Sequence, residues 1–257
     1  MLSTSFVYDI ALMSSNQSLK KTEQEYLSLA EFEIRVIRSR RKSLCLQVKP
    51  TEIVIRSPQF SPRLALKAFA LSKIDWLRKS QQRFSTPQSF RKIDYIHGDE
   101  LLYMGDKVVL HTATGSKSSV HFDADIRRLS VVISRRVKNQ QSYTKKAVIQ
   151  WYKDQANAYL QQTIPHLAKA MRVSYQGMTV REYKARWGSC SSSGHLSFNW
   201  RIFMAPTSVI DSVIVHELAH IKYFNHSKQF WAMVYAQCPD YQQQHTWLKD
   251  NQYHLQQ

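Results

Sequence analysis

Between Val213 and His226 the chain carries His216 and His220 four residues apart, Glu217 directly after the first, and His226 six residues beyond the second. On a helix, positions i and i+4 lie one turn apart on the same face. His216 and His220 can therefore direct two imidazoles at one metal ion, and a carboxylate beside the first ligand reaches a water bound to that ion. This is the chemistry of the H-E-x-x-H pattern of metal-dependent hydrolases. One zinc ion with three protein ligands and an open fourth position for water is the expected cofactor. Glu217 is the expected general base, taking a proton from the attacking water and passing it to the leaving amine.

The third ligand needs a separate argument. No glutamate follows Glu217, so a glutamate ligand from a later helix is excluded. Asp240 and Asp250 stand as replacements, and nothing local orients His245 or His254. His226 is the expected choice, because Asn225 can adopt a left-handed conformation and turn the chain back after the helix. Two competing readings remain open. In one the histidines hold no metal. In the other the metal is structural and the protein is a non-catalytic metal-binding interaction module, although such a site has no use for Glu217.

Several elements must position these residues. Val209, Ile210, Val213 and Ile214 give the motif helix an apolar face. Its start is placed at Pro206 with Thr207 or Ser208, and Asp211 stands three after Ser208 as in a capping box. Ser227 is a cap for the next helix, and Pro239 is a starting point for a last one. Upstream, Met178–Tyr183 reads as a strand. Leu196, Phe198, Trp200 and Ile202 alternate with polar residues as a second strand, and Arg186–Gly194 reads as a small-residue turn between them. The edge of this hairpin is a candidate platform for an extended peptide. Arg186, Tyr183 and His195 are candidates for oxyanion stabilisation.

The earlier chain is strand-rich. Phe32–Val36, Leu44–Val48 and Ile53–Ile55 read as a small antiparallel meander, with a turn at Pro50 and Thr51. A helix capped by Ser61, with Pro62 in its first position, runs to about Phe84. Leu101–Tyr103 and Val108–Leu110 form one hairpin; Ser119–Phe122 and Leu129–Ile133 form another pair. Ser142 caps a long helix that Pro165 is expected to kink. No internal repeat is visible. These features imply a flexible segment over 1–28, a strand-rich basic part over 29–140 and a helix-rich part with the chemistry over 141–257. The class is α+β, with the motif helix on a small antiparallel or mixed sheet.

The chain has 257 residues with 43% hydrophobic content, enough for a sizeable core. Its first residues show no basic flank ahead of an apolar core, so a cytoplasmic protein is expected, with no membrane association. Three widely spaced cysteines exclude a disulfide framework. Net charge is +17, from 36 Lys and Arg against 19 Asp and Glu. That balance favours anionic partners such as nucleic acid, though the basic residues form no single block. A nucleic-acid-associated protease acting on DNA-bound proteins is therefore an alternative to a general peptidase, with a peptide or protein substrate in either case.

Arg186-Trp187-Gly188-Ser189-Cys190, Leu196–Arg201, Ala205-Pro206, Val213–His220, Asn225-His226-Ser227 and Phe230-Trp231 together resemble the YgjP-like metallopeptidase domain family. This is a group of predicted zinc-dependent hydrolases related to the SprT and WLM-type proteases. The resemblance is looser over Ser39–Phe84. It implies a minimal zincin-like domain, with the metal on His216, His220 and His226 and the base at Glu217. The ligand spacing equals that of metzincins, but Tyr223 stands where those have glycine. The turn after the helix must therefore differ.

Overall fold

The computed structural model describes residues 25–48, 52–85, 93–183 and 186–255. Most of the segment expected to be flexible, and the turn at Pro50 and Thr51, lie outside these. The chain forms two compact units, Met1–Arg91 and Lys92–Gln257.

In the first unit, β1 (Glu25–Leu29) and β2 (Phe32–Ser39) form an antiparallel hairpin. Residues 25–28 are thus strand. β3 (Cys45–Val48) pairs antiparallel with β4 (Ile53–Pro58), and β4 lies parallel to β2, giving the order β1-β2-β4-β3. The expected meander is therefore a mixed sheet. β2 and β3 are sequence neighbours, yet β4 comes between them and buries Ile53 and Ile55 beside Ile34 and Val36. α1 (Arg63–Leu71) and α2 (Ile74–Ser85) complete the unit, placing Leu66, Ala70 and Leu77 on the sheet's buried side chains. The expected single helix is broken at Ser72 and Lys73, and Pro62 rather than Ser61 is its cap.

The second unit opens with a sheet of the same plan. β5 (Glu100–Tyr103), β6 (Asp106–Gly115), β7 (Ser119–Asp123) and β8 (Arg128–Ser134) are ordered β5-β6-β8-β7. The outer pairs are antiparallel and the central pair β6–β8 is parallel. The registers match too. Leu29 faces Phe32 as Tyr103 faces Asp106, and Val36 faces Ile55 as Leu110 faces Leu129. The chain thus contains a topological repeat that its sequence does not display. The side chains differ while the pattern of burial is kept, so the repeat leaves no trace in residue identities. The tight turn of the β5–β6 hairpin uses Met104 and Gly105, both at positive φ (53° and 88°), as a two-residue hairpin requires.

α3 (Gln140–Met171) follows, capped by Asn139, whose side chain accepts a hydrogen bond from the Ser142 backbone N–H. The cap is therefore Asn139 and not Ser142, and the helix runs on through Pro165. Val148, Trp151 and Tyr152 share one core with Leu101, Tyr103, Leu129 and Val131. Residue 140 is thus no boundary. The strands before it and the helix after it bury each other's apolar faces, and the compact units divide instead between Arg91 and Lys92.

A three-stranded mixed sheet carries the rest. β9 (Gly177–Arg181) lies parallel to β11 (His195–Asn199), and β10 (Gly188–Cys190) pairs antiparallel with β11 on its other side. The small-residue segment expected as a turn therefore supplies an edge strand. β11 ends sooner than its alternation suggests. The Asn199 side chain accepts from the Arg201 N–H and starts a 3-10 turn, Trp200–Met204, that buries Trp200, Ile202 and Phe203. α4 (Thr207–Lys222), α5 (Lys228–Gln237) and α6 (Tyr241–Leu255) close the unit. No described helix is long and apolar enough to cross a membrane.

α4 is buried around most of its circumference, including Val209, Ile210, Val213, Ile214, Val215, Leu218 and Ala219. Leu218 is wholly enclosed. Leu218→Ala is expected to destabilise the fold by about 2–5 kcal/mol in urea unfolding, whereas Phe60→Ala, at an exposed position, changes it by less than about 0.5 kcal/mol. Equal effects would contradict this assignment of the core.

Candidate metal centre

α4 begins at Pro206 without a side-chain cap. Asp211 takes no part in a capping box; it accepts a hydrogen bond from the Tyr159 hydroxyl at 2.7 Å and so ties α4 to α3. The helix ends at Lys222, and Tyr223 leaves it in an extended conformation (φ −130°, ψ 102°). Asn225 has no left-handed backbone. The return of the chain depends instead on Tyr223 and on α5, where the Ser227 hydroxyl accepts from the Phe230 N–H at 3.3 Å, as expected of a cap.

This path brings His216, His220 and His226 together, with one ring nitrogen of each within 4.8 Å of the others. His226 Nε2 lies 3.2 Å from His216 Nε2. Two nitrogens bound tetrahedrally to zinc at 2.0–2.1 Å stand roughly 3.3 Å apart, so the spacing fits a shared ion. His220 Nδ1 is 3.0 Å from the Tyr223 carbonyl and His216 Nδ1 is 2.8 Å from the Tyr241 hydroxyl, which leaves Nε2 of both rings toward the cluster. Buried Phe230 lies against all three rings at 4.7–5.0 Å, and Trp231 stacks on His226 at 5.5 Å. Among the described residues, Asp240, Asp250, His245 and His254 are outside the cluster.

Glu217 is 7% exposed and sits under the edge strand. A β-carbon built on Gly188 would lie 2.6 Å from Glu217 Cγ and 2.7 Å from its Oε1, so only glycine admits the carboxylate there. Gly188 pairs with Phe198, which is buried, so this row of the sheet faces α4. The alternate residues Ser189, Ser197 and Thr179 face the other way. There Thr179 Oγ1 lies 3.0 Å from Ser197 Oγ and 3.3 Å from His195 Nε2, and Tyr183 meets Ser189 at 3.4 Å. Of the three oxyanion candidates, Tyr183 and His195 thus belong to the hydroxyl face, while Arg186 acts electrostatically on Glu217.

Burial sets the proton affinities. It pushes the Glu217 carboxyl up to about 8, against a downward pull from Arg186. Burial, with help from His220, His226 and His245, takes His216 down to about 3, and it also lowers His220. Both rings are therefore neutral at physiological pH, the form that binds a metal. A cation held between them would act on Glu217 in the same direction as Arg186, toward the charged form.

Sequence reasoning missed Gly188 as the residue that admits Glu217, and Tyr241 altogether. The first had a signal in the glycine of Trp187-Gly188-Ser189. The second had none, because a tyrosine after Pro239 looks like any core aromatic.

An α+β unit that gathers three histidines, two of them on its central buried helix, beside an enclosed carboxylate has the donor set of a metallopeptidase. The chain belongs to the YgjP-like metallopeptidase domain family, whose profile matches residues 42–251. No curated protein matches it significantly. Among solved structures, the crystal structure of the metallopeptidase zymogen of Pyrococcus abyssi abylysin is similar at 20% identity and a TM-score of 0.28, covering 30% of this chain and 76% of that one. A likeness that slight transfers no property.

Gly188→Ala is expected to cost about 1–3 kcal/mol by thermal unfolding through overpacking against Glu217. Glu217→Ala in the same chain should recover most of that loss. Simple additivity of the two changes would show that their contact is not the cause.

Proposed function

We propose that the protein is a zinc-dependent peptidase with His216, His220 and His226 as metal ligands and Glu217 as general base. The observation that carries this reading is the convergence of the three ring nitrogens one residue from a carboxylate enclosed beneath an edge strand. Zinc bound there supplies a Lewis acid that polarises a substrate carbonyl and acidifies water.

The chain's own residues do the rest. His220 offers a bare Nε2 lone pair because its Nδ1 faces the Tyr223 carbonyl, which only accepts. Glu217 takes a proton from the attacking water at its carboxylate and returns it to the departing amine nitrogen. The wall of Gly188 and the buried surroundings keep competing water from that carboxylate. Arg186 adds positive charge that favours the charged form of Glu217. Beyond β10, no described strand continues the sheet, and such an edge suits an extended peptide laid alongside.

Purified protein is expected to hold about one zinc per chain, and His226→Ala to lose it. Glu217→Gln should keep the metal while cleaving an unstructured protein such as casein about 10²–10⁴-fold more slowly. Cleavage by Glu217→Gln at the parent rate would rule out the glutamate as base, and retention of zinc by His226→Ala would rule out the third ligand.

A further inference from the structure

His216 and His220 look equivalent along α4, but their outward nitrogens are held by different chemistry. His220 Nδ1 faces the Tyr223 main-chain carbonyl at 3.0 Å. A carbonyl only accepts, so this nitrogen must carry the proton and Nε2 is bare. His216 Nδ1 faces a side-chain hydroxyl, Tyr241 Oη, at 2.8 Å. A hydroxyl can donate or accept, so the tautomer of His216 depends on which role Tyr241 takes.

Tyr241 is well placed to hold one arrangement. It is the first residue of α6, packed on α4, and 6% exposed. Its ring stacks on His216 (5.9 Å, 15°) and on His245 (5.8 Å, 13°), with Trp231 at 5.6 Å. The phenol is packed among aromatic neighbours with its oxygen directed at His216.

We propose that Tyr241 is a positioning residue of the metal site: its hydroxyl accepts the Nδ1 proton of His216 and so keeps Nε2 bare and aimed at the metal. This rests on the reading of the three histidines as ligands. Partners that hold a ligating histidine's second nitrogen orient the ring and raise its basicity, and their removal weakens metal binding by roughly 10–100-fold. Tyr241 touches neither the reacting atoms nor the metal. It acts through His216, and through it α6 is coupled to the site.

The test compares the full chain with Tyr241→Phe, which keeps the ring, and with His216→Ala. Zinc affinity is measured by competition with a chromogenic chelator, and histidine tautomers by long-range nitrogen–proton correlation spectra of the zinc-loaded proteins. Tyr241→Phe is expected to weaken zinc binding by roughly 10–100-fold at an unchanged metal-free melting temperature. It should also remove the slowly exchanging Nδ1 proton of His216 while leaving that of His220. Parent-like affinity in Tyr241→Phe, or a His216 proton still protected, overturns the role of Tyr241 while the metal site stands. A parent that binds no zinc, or binds it as well after His216→Ala, overturns the metal site and this inference together.

Discussion

The close approach of β10 to α4 is the constraint on which the rest of the structure depends. Glu217 points into the sheet instead of away from it, and the strand above has room only because Gly188 carries no side chain. That contact places a carboxylate in an enclosed space one residue from His216 of the histidine cluster. A side chain at residue 188 would meet the Glu217 carboxylate and push one of the two elements away. β11, buried at Leu196 and Phe198, holds β10 against the helix.

Burial here does chemical as well as structural work. The same desolvation that stabilises the apolar surface of α4 discourages charge on His216 and His220, so their lone pairs are free for a cation. Desolvation acts in the opposite sense on Glu217, where it favours the protonated acid. The two effects meet in a metal ion. A cation on the imidazoles would cost them no proton and would pull the nearby carboxyl back toward its charged form.

The two four-stranded sheets show how little of a fold's plan is tied to particular residues. Each has two antiparallel outer pairs around a parallel centre, with the same hairpin and central registers. In the first unit the buried face is covered by two short helices, α1 and α2, and in the second by α3. Both sheets meet the same demand, to bury alternate aliphatic side chains, with different side chains. Several arginines of the first unit are engaged in ion pairs within it, Arg35 with Glu52, Arg38 with Glu25 and Arg78 with Glu31. The charge of that unit is thus partly internal to its own structure.

The sequence alone determined what depends on local spacing. Two histidines at i and i+4 and a glutamate between them share a helix whatever surrounds it, alternation marked β2, β3 and β11, and apolar runs marked β5, β6 and β8. Ser227 as a cap was also legible, because a cap is satisfied within three residues. What only the tertiary structure decided involves partners far apart in the chain. The parallel pairing of β2 with β4, the enclosure of Glu217 by Gly188, the diversion of Asp211 to Tyr159 and the seat of Tyr241 on His216 each join residues from separate elements. Periodicity reports which face of an element is buried, but not against what. That choice belongs to the packing of the whole core.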